Sequence, residues 1–147
     1  NLLVGNNDNH LKNLSFLVSH EGIEIAPFYD LLCTAVYDTQ LYAAERATWP
    51  HTELTLAVPG GTTYAQVTRE RVLAAAEALQ IPVAVARREL DRICRDILPK
   101  ADEVLAQMER EDAALPAEQA ATLAAERRLL RGCRSMVLPE MLAKIRA

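Results

Sequence analysis

The spacing of hydrophobic residues changes character near residue 67. Before that point, apolar residues alternate with polar ones or form short runs, as at residues 14–18 and 23–25. The polar residues 19–22 separate these two runs, so the pattern predicts a β-hairpin with one buried face. A further apolar run, residues 54–58, is a candidate strand because Pro and Gly follow it directly.

Beyond residue 67, apolar residues recur every three or four positions, which is typical of amphipathic helices. Thr68 is a candidate N-cap for a first helix that ends before Pro82. Punctuation by proline and glycine predicts the later helix boundaries, at Pro99, Pro116, Gly132 and Pro139. The whole pattern predicts an α+β protein that is mainly α, with one hairpin and about five helices.

Composition is that of a single globular domain. The chain has 147 residues, half of them hydrophobic and 24% charged, so we expect one domain over 1–147 with an irregular first part, 1–67, and a helical second part, 68–147. The net charge of -4 provides no general attraction to nucleic acid or to anionic lipid. No apolar run reaches membrane-spanning length, and the first ten residues lack the basic region and cleavage site of a signal peptide, so we expect a cytoplasmic protein without membrane contact.

The three cysteines give no sign of a disulfide framework or a zinc site. Cys33, Cys94 and Cys133 are odd in number, far apart, and without any Cys-x-x-Cys spacing. We therefore expect reduced and mostly buried thiols.

Residues 5–13, with the sequence GNNDNHLKN, carry the strongest chemical signal. An acidic residue followed five positions later by an asparagine, in a loop before a hairpin, is the arrangement that a phosphotransferase catalytic loop needs. Asp8 would accept or orient the attacking hydroxyl, and Asn13 would hold a metal ion. Asp30 follows the second hairpin strand and would supply another oxygen ligand. Two antiparallel strands joined by a short turn should bring Asn13 and Asp30 together.

Plainer interpretations stay open for each of these residues. A cluster of Asn, Asp and Gly is often only a turn, His10 is often an ordinary loop or core histidine, and Asp30 is also a candidate helix N-cap. A calcium-binding EF-hand beginning at residue 6 is excluded. Leu11 and Leu17 occupy the positions where that loop requires Gly and Glu.

The segments GNNDNHLKNLSFL and IAPFYDLLCTAVY resemble the catalytic-loop half of the HipA-like family, bacterial protein kinases of toxin–antitoxin modules. That family has the pattern Asp-x-His-x-Lys-Asn-x-Ser, then a hairpin, then Ala-Pro-x-Tyr-Asp, and every one of these residues is present. The segment from residue 53 to residue 82 is also similar, so the resemblance covers most of residues 1–98. It implies the C-terminal lobe of a protein-kinase-like fold.

The resemblance implies a role for five residues. Asp8 would be the catalytic base, and Asn13 and Asp30 would bind the Mg²⁺ ions that carry ATP. His10 and Lys12 match supporting positions, where a cation stabilises the charge that develops on the transferred phosphoryl group. The implied reaction is transfer of the γ-phosphate of ATP to a serine or threonine of a protein target.

The sequence departs from a complete kinase in one respect. It contains neither a Gly-rich phosphate loop nor a strand lysine that pairs with the nucleotide phosphates, and the pair Gly60 and Gly61 follows the catalytic loop. The nucleotide-binding N-lobe therefore lies outside these residues, and we expect the chain alone to have little or no kinase activity. For a whole protein of this kind, the implied partners are a HipB-like antitoxin and a protein substrate, with DNA bound only through the antitoxin.

Two other functions remain open. One is a degenerate kinase lobe that binds an antitoxin or a target protein. The other is a fragment of an atypical lipid or small-molecule kinase, because the Asp-x-His-x-x-Asn core is similar to that of phosphoinositide-type kinases, where His10 would share the role of base. Four arginines close to Gly132 form either a solvated helix end or a contact for antitoxin or DNA: Arg127, Arg128, Arg131 and Arg134.

Overall fold

A computed structural model describes the backbone of residues 1–147 and every side chain except those of Ala117 and Ala120. Its strands are β1 Phe16–Ser19, β2 Gly22–Ile25, β3 Glu53–Val58 and β4 Gly61–Thr63. Its α-helices are α1 Gln40–Ala43, α2 Arg69–Ala78, α3 Val83–Ala113, α4 Ala117–Thr122, α5 Ala124–Gly132 and α6 Leu138–Arg146. Short 3₁₀ turns occupy Leu11–Asn13, Thr34–Asp38, Ala44–Arg46 and Tyr64–Gln66, and a π-helical turn, Cys133–Val137, joins α5 to α6. The predicted α+β class, mainly α, is confirmed.

Strands β1 and β2 form the predicted hairpin, with Phe16 opposite Ile25 and Ser19 opposite Gly22. The prediction of a buried face is wrong, because every residue of both strands is exposed. Val18 keeps 77% of its surface accessible and Ile23 keeps 71%. A two-stranded ribbon has two faces, and the described part of the chain covers neither of them.

Strands β3 and β4 form a second antiparallel pair, which confirms the candidate strand at residues 54–58. Helix α2 begins where the sequence predicts, because the Thr68 hydroxyl accepts a hydrogen bond from the backbone N–H of Arg71 at 3.4 Å. None of the described helices is both long enough and apolar enough to cross a membrane.

Helix α3 runs through Pro99 without a break, so the predicted pair of helices on either side of Pro99 is wrong. A proline inside a helix removes one backbone hydrogen bond and costs about 3 kcal/mol. The apolar stripe of α3 stays in register across Pro99, and residues on both sides of it, such as Ile97 and Ala101, pack against the core. Burial of this continuous stripe outweighs the local cost.

The C-terminal helices also differ from the prediction. The predicted helix over 116–132 is divided at Leu123, and its second part, α5, ends at Gly132 as predicted. The π-helical turn Cys133–Val137 follows directly, because the backbone of Gly132 is still helical at φ -62 and ψ -45. Gly132 is needed for packing, because a Cβ atom there would lie 2.7 Å from Leu41 Cδ2 and 2.8 Å from Val36 Cγ2. Pro139 lies in the first turn of α6, as predicted.

The core is built around α6. This helix and the π-helical turn before it contribute five of the buried apolar residues: Val137, Leu138, Met141, Leu142 and Ile145. Ala35 and Val36, from the 3₁₀ turn Thr34–Asp38, are also fully buried against this cluster. The core therefore fixes the turn that follows the hairpin.

Ion pairs fasten α5 and the following turn to α3. Arg134 makes a two-bond contact with Asp102, at 2.7 and 2.9 Å. Arg131 pairs with Glu109 at 3.0 Å, and Arg127 contacts Asp112. Three of the four arginines named above therefore contact α3, and the fourth, Arg128, donates a hydrogen bond to the Leu41 carbonyl of α1 at 2.6 Å.

Candidate active site

The loop at residues 5–13 is held against the core by Gly5. Gly5 is buried with φ +65, and a Cβ atom there would lie 2.7 Å from the Ala35 Cβ and 2.8 Å from the Val137 Cγ1. The Gly5 carbonyl accepts a hydrogen bond from the Ala35 N–H at 2.8 Å. Only glycine combines this backbone conformation with such a close approach.

Asn7 ties the same loop to two further segments. Its backbone N–H donates to the Thr34 hydroxyl at 2.8 Å, and its amide Nδ2 donates to the Asp38 carboxylate at 3.3 Å. Its carbonyl accepts a hydrogen bond from the Thr55 hydroxyl of β3. The loop is thus fixed from both sides, a property that a rigid site requires.

Asn13 and Asp30 meet at the open end of the hairpin. The Asn13 amide Nδ2 donates to Asp30 Oδ2 at 2.7 Å, and the Asn13 Oδ1 accepts from the backbone N–H of His10 at 3.0 Å. The predicted juxtaposition of these two residues is confirmed. The N-cap interpretation of Asp30 is wrong, because the next helical turn begins at Thr34 with Cys33 at its N-cap.

Asn6 connects the parts of the site, although no motif in the sequence singles it out. Its side chain is buried, and its Nδ2 donates to the Asp30 carbonyl at 2.8 Å and to Asn1 Oδ1 at 2.9 Å. Its Oδ1 accepts the backbone N–H of Asp8 at 3.1 Å. One amide therefore connects the loop of Asp8 with the segment of Asp30. The only signal in the sequence was its place in an Asn-rich loop.

The other three candidate residues surround this pair. Asp8 is exposed, and within the described chain its carboxylate has no hydrogen-bond partner. His10 is half-buried, and its Nδ1 atom is buried without a partner among the described residues. The side chain of Lys12 is exposed, while its carbonyl accepts a hydrogen bond from the Tyr29 hydroxyl at 2.5 Å. Tyr29 thereby holds the 3₁₀ turn from Leu11 to Asn13.

The donor set at Asn13 and Asp30 suits a hard cation. Mg²⁺ prefers oxygen ligands and commonly takes one or two from the protein, with phosphates and water completing its shell. One carboxylate and one amide oxygen meet that requirement, and Asn13 Oδ1 keeps a second lone pair beside its bond to His10. Among the described side chains, no cluster of three or more His, Cys, Asp or Glu residues could hold a metal alone. The residues therefore fit a metal that arrives with a phosphate ligand.

Comparison with known families matches residues 1–105 of the chain to the HipA-like C-terminal domain. The chain belongs to this family. The match contains the loop at residues 5–13, the hairpin and Asp30, and it ends within α3. The HipA-like domain is thus the part of the chain that carries the candidate site.

Two relatives extend this identification. HipA of Shewanella oneidensis MR-1, solved in a complex with HipB and operator DNA, superposes with a TM-score of 0.59 and 27% sequence identity, over 97% of this chain and 31% of that one. A protein of Sinorhizobium fredii (strain NBRC 101917 / NGR234) named "Putative kinase Y4mE" is 54% identical over 37 residues, which are 25% of this chain and 9% of that protein. The chain therefore spans about a third or less of each relative. These matches support a kinase-like protein of the HipA toxin–antitoxin family.

Proposed function

We propose that the chain is the catalytic lobe of a HipA-like kinase, which transfers the γ-phosphate of ATP to a serine or threonine of a protein. The contact between Asn13 and Asp30 carries this proposal, because it places two oxygen-bearing side chains beside the loop of Asp8. A kinase active site needs both elements, a metal anchor for the phosphates and an acid that orients the hydroxyl.

Asn13 and Asp30 would hold Mg²⁺, which supplies positive charge to the phosphate groups of ATP. Asp8 would accept the proton of the attacking hydroxyl, and its exposure leaves the carboxylate accessible to a protein substrate. His10 and Lys12 would stabilise the charge on the transferred group. The unpartnered Nδ1 atom of His10 is the buried polar group in the loop that a bound ligand would satisfy.

Full activity would require a second lobe. Phosphoryl transfer depends on how precisely the enzyme positions the nucleotide phosphates against the attacking hydroxyl. These 147 residues contain neither a Gly-rich loop nor a strand lysine that would bind those phosphates. The hairpin beside the site exposes four apolar side chains on one face, Phe16, Val18, Ile23 and Ile25, and Leu17 on the other. Such a surface is typical of one that another part of a protein covers. We therefore expect little or no transfer by the chain alone.

A second candidate function is a docking lobe that no longer transfers phosphate. The same exposed hairpin favours it, because its apolar face can bind a partner protein. A HipB-like antitoxin is the partner that the Shewanella complex suggests. The two functions differ in whether the site of Asn13 and Asp30 binds metal and nucleotide.

Calorimetric titration with ATP, with and without Mg²⁺, tests the metal site. We expect binding that requires Mg²⁺ in the wild-type chain and is lost in Asp30→Asn. Glu24→Gln is the matched control, since Glu24 is an exposed carboxylate on β2 outside the site. Equal binding in all three proteins, or none in a folded wild-type sample, would contradict a working metal site and favour the docking lobe.

Complementation tests the transfer itself. The remaining part of the Shewanella HipA chain would be added in trans, and phosphoserine and phosphothreonine would be measured by mass spectrometry. We expect protein phosphorylation that disappears with Asp8→Asn. Phosphate found only on lipids or small molecules would instead indicate an atypical lipid or metabolite kinase.

A further inference from the structure

Two of the three cysteines meet in the folded chain although they lie far apart in the sequence. Cys33 follows the hairpin, directly before the 3₁₀ turn Thr34–Asp38, and Cys133 opens the π-helical turn after α5. Cys33 lines a cavity with Leu129, which lies one helical turn before Cys133, and Cys133 lines another cavity with Leu31, two residues before Cys33. The two side chains therefore lie next to each other, close enough for each thiol to shift the pKa of the other. Both are reduced, and both are half-buried.

Close packing between α5 and the 3₁₀ turn Thr34–Asp38 holds the two cysteines near each other. Gly132, the residue before Cys133, presses against Val36 so closely that a Cβ atom there would lie 2.8 Å from the Val36 Cγ2. Val36 is fully buried and stands three positions after Cys33. Because Gly132 has no side chain, the end of α5 packs closely against the 3₁₀ turn Thr34–Asp38, and this packing brings Cys133 near Cys33.

Each thiol can be reached from solvent by a small molecule. Cys133 lines an apolar cavity of about 390 Å³ together with Leu31, and Cys33 lines a smaller one of about 110 Å³ together with Leu129. Cys94 differs from both, because only 3% of its surface is accessible.

The two thiols also differ in acidity. The neighbouring Cys33 thiol lowers the pKa of the Cys133 thiol, because a thiol that can donate a hydrogen bond stabilises the thiolate. The same interaction, together with burial, raises the pKa of the Cys33 thiol. Thiolate is the reactive form, so Cys133 is the first to react with an electrophile and Cys33 is positioned to react second.

We propose that Cys33 and Cys133 form a reversible intramolecular disulfide when the protein meets a peroxide. The bond would covalently join the segment after Asp30 to the C-terminal helices.

The chemistry balances with hydrogen peroxide as the oxidant. The Cys133 thiolate attacks one peroxide oxygen, an S–O bond forms while the O–O bond breaks, and the hydroxide released takes up the thiol proton to become water. The Cys33 sulfur then attacks the sulfenic sulfur, an S–S bond forms while the S–O bond breaks, and hydroxide leaves with the Cys33 proton as a second water. Two thiols are oxidised to one disulfide, and one peroxide is reduced to two waters.

Thiol counting and peptide mapping test the proposal. We expect hydrogen peroxide to reduce the free thiols of the folded chain from three to one, and non-reduced digests to contain a peptide pair linked through Cys33 and Cys133. A thiol reductant should restore all three. Linkage of Cys94, linkage only between separate chains, or further oxidation of Cys133 without any linked pair would overturn the proposal.

Two variants test whether the disulfide forms because Cys33 and Cys133 are neighbours or because any thiol of the chain reacts with peroxide. Cys94→Ser is the matched control and should form the same linked pair as the wild type. Cys33→Ser removes the second thiol, so dimedone should trap a sulfenic acid at Cys133 that does not accumulate in the wild type. Equal dimedone labelling of Cys133 in both proteins would contradict a resolving role for Cys33. The wild-type peptide map decides the question even if Cys33→Ser folds poorly.

Discussion

Removal of the Asn6 amide is the perturbation that best tests how the candidate site is held. Asn6→Ala deletes the hydrogen bonds from Nδ2 to the Asp30 carbonyl, at 2.8 Å, and from the Asp8 N–H to Oδ1, at 3.1 Å. It also deletes the hydrogen bond from Nδ2 to Asn1 Oδ1, at 2.9 Å.

The expected loss follows from these three hydrogen bonds. Each intramolecular hydrogen bond contributes about 1 kcal/mol to stability, so their removal should lower the free energy of unfolding by about 3 kcal/mol. Asn6 is 5% exposed, so water cannot fully replace the lost partners. The loop of Asp8 and the segment of Asp30 would also lose their shared anchor, so Mg²⁺-dependent ATP binding should weaken together with stability.

Urea unfolding followed by far-ultraviolet circular dichroism measures the change. Asn9→Ala is the matched control, because it makes the same chemical change in the same loop at a residue that has no side-chain hydrogen bond within the described chain. We expect the control to stay within about 0.5 kcal/mol of the wild type. If Asn6→Ala lowers stability no more than Asn9→Ala, the role assigned to Asn6 is refuted.

Three further substitutions test the packing of the fold. Gly132→Ala should destabilise the chain by about 1–3 kcal/mol in urea unfolding, because its Cβ would lie 2.8 Å from Val36 Cγ2; an unchanged midpoint would contradict that close approach. Pro99→Ala should stabilise α3 by up to about 3 kcal/mol, since it restores a backbone donor, and a lower Tm would show that the proline is required. Arg134 lowers the pKa of Asp102 below its usual 3.8. The pairing of ionised Asp102 with Arg134 therefore stabilises the fold above the unfolded-state pKa of Asp102, and this stabilisation is lost as the pH falls through the lower folded-state pKa. The Tm difference between the wild type and Arg134→Gln should narrow below about pH 4. A Tm difference that does not depend on pH would contradict this pairing.

Local features of the sequence were sufficient for much of the fold and for the outline of the site. The hairpin, the N-cap at Thr68 and the spacing of Asp8, Asn13 and Asp30 are set by neighbouring residues and by the short turn between two strands. The meeting of Asn13 and Asp30 follows from that turn, because antiparallel strands bring their outer ends together. The family resemblance rests on the same short segments.

Contacts between distant residues decided the rest. The sequence places a helix boundary at Pro99, but packing of the apolar stripe along α3 carries that helix onward. The sequence marks Gly132 only as a helix end, whereas its close approach to Val36 depends on the complete fold. The buried partners of Asn6 and the meeting of Cys33 with Cys133 likewise depend on segments that only the complete fold brings together. Composition and periodicity describe each segment's own preference, whereas the free energy of packing between segments determines which preferences survive.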